Sequence, residues 1–146
     1  MESTYSYRII KSSWGIAIDI TADVLPLVGN ERAAIEVGQG LRLAVDPGLG
    51  LKLSQQEHQM LAAGLRLTEE GMTEIVQRDG PFVIQIDDIS FNPTDYQEEG
   101  LAYALASWVA HHFNLSLALP PVHFSKQENR YIFNLELQPK EKMRSA

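Results

Sequence analysis

Between Asp95 and Phe113 the apolar residues return at helical spacing: at about 100° per residue, Leu101, Leu105, Trp108 and His112 share one stripe, flanked by Val109 and Ala102. A helix with so broad an apolar stripe is marginal alone in water, so the rest of the chain must supply a layer to cover it. The helix is expected to begin at Thr94 or Asp95, where Asp95-Tyr96-Gln97-Glu98 reads as a capping box. It should close at Asn114, a residue type common at helix C-termini.

Strand-like alternation supplies that second layer. Tyr5, Tyr7 and Ile9 alternate with polar residues, then Trp14, Ile16, Ile18 and Ile20 continue on the other parity, which implies a bulge or tight turn through Lys11-Ser12-Ser13. TADVLPLVGNER reads as a loop, AAIEV and GLRLAV as short strands around Gly38-Gln39-Gly40, and Pro47-Gly48 as the end of the second. Ser54-Gln55-Gln56-Glu57 is a capping box opening a helix to about Ala63, and Thr68-Glu69-Glu70 opens another that Arg78-Asp79-Gly80-Pro81 stops. In PFVIQIDDISF, Ile84 and Ile86 share a face while Ile89 and Phe91 have the opposite parity, so Asp87-Asp88 mark a bulge or strand end. VHFS and RYIFNLEL should pair as a hairpin across 126–129.

These elements predict one α+β domain over residues 1–138 and a polar tail over 139–146. The sheet is expected to be antiparallel or mixed, with the 95–113 and 55–78 helices on one face and Trp108, Leu101, Leu105, Ile84, Ile86, Phe133 and Leu135 in the core. Tyr5, Tyr7 and Trp14 suit core better than an interface. No segment approaches the roughly 18 apolar residues of a membrane span, and the N-terminus lacks an export signal, so a soluble protein is expected. The absence of cysteine removes disulfide, thiolate and iron–sulfur chemistry and fits a reducing cytoplasm.

Charge is unevenly placed. With a net charge of −7, the chain has no Lys or Arg between Arg78 and Lys126, whereas five of its twelve basic residues follow position 125. Nucleic-acid binding is not expected, and a negative region of this kind suits a basic protein partner. The stretch DDISFNPTDYQEEG holds Asp87, Asp88, Asp95, Glu98 and Glu99, with Tyr96 among them. Capping accounts for Asp95, Glu98 and Glu99, but not for Asp87 and Asp88, which stand where a strand hands over to a loop.

Catalytic and metal patterns lack their parts. The 87–95 spacing does not match a calcium loop, and the adjacent His111 and His112 diverge on a helix too far to chelate one ion. His112 continues the apolar stripe and is expected to be a hydrogen-bonded core residue, while His58 and His123 stand apart. DPGLGLKLS lacks the Gly-Lys-Ser/Thr order of a phosphate loop and reads as a turn. No catalytic residue, metal or cofactor is assigned.

The order of a GLRLAVDP strand, a helix, the FVIQIDDISF strand and a long helix carrying EEGLAYALASWV resembles the fourth domain of elongation factor G over residues 33–113. That likeness implies a ribosomal protein S5 domain 2-like fold. It carries over no functional residue, because that domain works against RNA and this chain has no Lys or Arg between Arg78 and Lys126. In being small, acidic and free of cysteine, the chain also resembles bacterial immunity proteins, which implies an inhibitor covering a basic partner. The leading expectation is a non-enzymatic binding domain using Asp87, Asp88, Asp95, Tyr96, Glu98 and Glu99. The alternatives are a small enzyme or ligand- or metal-binding domain near Asp87, Asp88 and His111, and a structural subunit of an assembly. The sequence leaves the oligomeric state open.

Overall fold

The computed structural model describes residues 2–27, 35–38 and 40–135, so the expected 139–146 tail lies outside the described residues. Strands β1 (Ser3–Ile10) and β2 (Gly15–Pro26) form a hairpin, followed by β3 (Ile35–Gly38) and β4 (Leu41–Val45). Helices α1 (Pro47–Lys52), α2 (Gln55–Leu67) and α3 (Glu69–Asp79) lead to β5 (Phe82–Phe91). A 3-10 turn at Pro93–Asp95, helix α4 (Gly100–Phe113) and a small hairpin of β6 (His123–Ser125) and β7 (Arg130–Ile132) complete the fold.

The main sheet has the order β1-β2-β5-β4-β3 and is mixed, with β4 and β5 parallel and the other pairs antiparallel. This is the expected α+β architecture, with α2 and α4 over one face. Ile16, Ile18, Ile20 and Ala22 of β2 and Ile84 and Ile86 of β5 line that face and are fully buried. Continuing the alternation to Ala22 extends β2 to Pro26, where the sequence suggested a loop from Thr21. A strand in the middle of a sheet is held by neighbours on both sides, which overrides the weak local signal of TADVLP.

Helix α4 is buried on more than the expected stripe. Leu101 through Ala106, Trp108 and Val109 are all buried, because the sheet lies on one side and α2 crosses on another. Tyr103 faces a third neighbour, donating its hydroxyl to the Pro120 carbonyl at 2.6 Å and packing edge-on against Phe133. Asn114 closes the helix at φ 57°, as its residue type suggested. His112 departs from expectation: it is exposed and stacks on the Trp108 indole with centroids 4.9 Å apart. One residue at the last turn of a helix can continue a stripe and still project past the layer it covers.

Ser54 and Glu57 form the predicted capping box of α2, which runs on to Leu67 rather than ending near Ala63. DPGLGLK forms a short helix rather than a plain turn, because the Asp46 carboxylate accepts from the Gly48 and Leu49 amides. Phe133, Leu135, Tyr5, Tyr7 and Trp14 are half-buried residues packed against the core. The β6–β7 hairpin forms as expected. Its Tyr131 is fully buried, donating to the Trp14 carbonyl at 2.6 Å and accepting from the Lys11 amide at 2.8 Å.

Strand β1 is an edge of the sheet. The Trp108 indole donates to the Ser3 carbonyl at 3.0 Å, the Arg8 guanidinium to the Tyr7 carbonyl at 3.1 Å, and Lys11, just past the strand, to Tyr131. Alternate residues of an antiparallel strand direct their main-chain groups to the same side. Side chains therefore meet one row of main-chain groups at every fourth residue.

Candidate functional site

Pairing of β2 with β5 breaks register at Asp87: Thr21 stands opposite Asp88 and Ala22 opposite Ile86, leaving Asp87 as the extra residue of a bulge. The bulge is what reverses the parity of Ile89 and Phe91 relative to Ile84 and Ile86, as the pattern predicted. It places Asp88, which is exposed, beside Thr21 on the face of the sheet away from the helices. In β2, Asp19, Thr21 and Asp23 take the parity opposite to the buried isoleucines and share that face.

Asp87 does not stand alone. The Glu2 carboxyl interacts with Asp87, and this contact, some loss of solvation and the charges of Asp87 and Asp23 push its pKa above the ordinary carboxylate value. Glu2, Asp23, Asp87 and Asp88 thus gather at one end of the open face. The sequence marked only the last two, although the parity of Asp23 against Ile16, Ile18 and Ile20 was a usable signal. Arg8 shares the face through its register with Ala17 and lies 3.0 Å from Asp19 Oδ1, an ion pair without hydrogen-bond geometry. Thr4 and Thr21 join their hydroxyls at 2.7 Å between these two groups.

The 95–99 segment is not the predicted helix start. Asn92 caps a 3-10 turn through Thr94, Tyr96 is extended at φ −140°, and α4 begins only at Gly100 with no side-chain cap. Tertiary contacts outcompete the capping box. The Tyr96 ring stacks on Phe91 at 3.7 Å and its hydroxyl donates to Glu57 Oε2 at 2.5 Å. The Gln97 side-chain amide pairs with both main-chain groups of Tyr131, at 2.7 and 2.8 Å.

The remaining carboxylates separate by environment. Glu99 receives the Arg130 guanidinium at 2.5 Å and the Gln97 amide at 3.0 Å. Burial alone would raise its pKa, but these donors outweigh burial and hold it below the ordinary value. Glu98 is pushed up, first by burial and then by the charges of Glu99 and Glu57. Burial and the Glu57 hydrogen bond likewise push the Tyr96 hydroxyl up. Asp95 lines a cleft with Arg8, Ile9 and Ile10 near the end of the β1–β2 hairpin.

The structure therefore divides the 87–99 stretch into the open-face cluster with Asp87 and Asp88, the locked group of Tyr96, Glu98 and Glu99, and the isolated Asp95. Arg130, more than thirty residues away in sequence, neutralises part of an acidic region that looked uninterrupted. His111 joins neither aspartate: its ring lies 5.5 Å from that of Tyr5, and it lines a separate cleft with Ser107, Asn114 and Leu115. Among the described residues no set of three or more His, Asp or Glu is placed to hold a metal ion, and no helix is long and apolar enough to cross a membrane.

No protein-family model matches the chain, and no curated protein matches it significantly.

Proposed function

We propose that this chain is a non-enzymatic binding domain for a basic protein, in the manner of an immunity-type inhibitor, and that the open sheet face is its contact surface. The observation that carries the reading is the convergence of Glu2, Asp23, Asp87 and Asp88 at one end of the face turned away from α2 and α4. Glu2, whose proton affinity is raised by its contact with Asp87 and by the neighbouring charges of Asp87 and Asp23, marks a crowding of carboxylates that favours the arrival of an opposite charge. A lysine or arginine placed among them relieves a repulsion already present in the free protein. Tyr96 and Glu99 contribute less than the sequence suggested, because they are committed to Glu57 and Arg130.

The test begins with capture of partners from native lysate at low and high salt, followed by association kinetics on the purified pair. Reversing Asp87 and Asp88 to lysine should slow association at least tenfold at low ionic strength, less at high, with the thermal transition retained. Unchanged association of that variant removes the open face as the contact surface. Light scattering of the isolated chain separates the reading from that of an assembly subunit, for which self-association is expected.

A further inference from the structure

A second feature lies at the end of the β1–β2 hairpin, about four residues along β2 from the acidic cluster, or roughly 14 Å at the rise of an antiparallel strand. There a cleft of about 330 Å³ opens between the end of the β1–β2 hairpin and the 3-10 turn. Its walls come largely from Ile9, Ile10, Ile16 and Ala17, and Ile10 is 72% exposed. Two charges line it. Arg8 is committed to Asp19 and to the Tyr7 carbonyl, whereas the Asp95 carboxylate has no side-chain partner among the described residues.

We propose that this cleft receives one lysine or arginine side chain of the basic partner, its methylenes on Ile10 and Ala17 and its head group at Asp95. An apolar wall ending in an unneutralised carboxylate matches a side chain built as an apolar stem with a cationic tip. A purely apolar side chain would leave Asp95 unanswered, and an anion would meet it as a like charge. This inference rests on the reading that the partner is basic, and adds where one of its side chains is anchored. The domain would then offer both long-range attraction, at the Asp87 end of β2, and a short-range anchor, at the hairpin end beside Asp95.

The test uses small cations, so that it stands or falls without the partner. Guanidinium, ethylguanidinium and butylguanidinium are titrated into the protein while amide chemical shifts are followed. Shifts should concentrate at Ile9, Ile10, Ala17 and Asp95, and affinity should rise about tenfold from ethyl to butyl, as two buried methylenes require. Asp95→Asn should weaken butylguanidinium binding at least threefold, and Ile10→Ser should erase the chain-length dependence while leaving the weak binding of guanidinium itself. Equal affinity along the series, or full retention in Asp95→Asn, overturns the inference. So do shifts confined to Asp87 and Asp88, although they would leave the acidic contact surface standing. Loss of the Asp87/Asp88 effect on the partner, with the alkyl series intact, would instead overturn the contact surface alone.

Discussion

Gly64 of α2 lies against the main chain of Ala102 in α4, so close that a Cβ at position 64 would stand 2.8 Å from the Ala102 Cα. The two helices cross where neither has a bulky side chain, which lets α4 be covered by α2 as well as by the sheet. Gly64→Ala should therefore destabilise the domain by about 3 kcal/mol, since main chain rather than a flexible side chain must move. Gly71 is the control: it is exposed within α3, and a Cβ there would meet only Leu115 Cδ1 at 3.7 Å. Gly71→Ala should stabilise by about 0.5–1 kcal/mol through helix propensity. Urea unfolding of the two variants should give shifts of opposite sign.

The guarded edge of β1 leads to a second prediction. Unpaired main-chain groups on an edge invite pairing with another chain, and the contacts of Trp108, Arg8 and Tyr131 occupy one row of them. Removing two of these guards, in Arg8→Ala with Tyr131→Phe, should lower stability by about 1–2 kcal/mol and raise self-association. Light scattering over a concentration series should show the double variant forming larger species at concentrations where the parent does not. Loss of stability without association would mean that the contacts only fasten the hairpin.

The alternation of Ile16, Ile18 and Ile20, the parity break at Asp87, and the Ser54–Glu57 box were legible because each is a local relation between neighbours. Partners distant in sequence were not. Nothing near Glu99 points to Arg130, and nothing near Gln97 points to Tyr131, yet these contacts displace the start of α4 from Asp95 to Gly100. The capping box was a sound local reading that lost to the stacking of Tyr96 on Phe91 and its bond to Glu57. For the same reason the charge run suggested one acidic surface where the fold makes separate environments.

The Glu99–Arg130 pair should show in the pH dependence of stability. Because the folded pKa of Glu99 is depressed, its contribution is present above the ordinary carboxylate value and is lost as pH falls through the lower folded value. Side-chain exposures of 39% for Arg130 and 24% for Glu99 limit the pair through solvent screening. Arg130→Met should then cost about 1 kcal/mol at pH 7, with the difference shrinking near pH 3. Chemical denaturation of parent and variant at the two pH values measures this directly, and a pH-independent difference would assign the loss to packing of β7.

Glu2 and Asp87 provide the opposite sign. A carboxyl raised above its unfolded value holds its proton longer in the folded state, so stability falls as pH rises between the two values. Asp87→Asn removes the largest cause, and should bring the Glu2 titration, followed by carboxyl carbon chemical shift, back toward its ordinary position. Asp88→Asn should move it less, because Asp88 does not contribute to the Glu2 shift. Equal movement in both variants would mean that Glu2 senses the general charge of the open face rather than a contact with Asp87. A Glu2 titration unmoved in either variant would remove the acidic cluster as a closely packed group, and with it the main physical reason for placing a basic partner there.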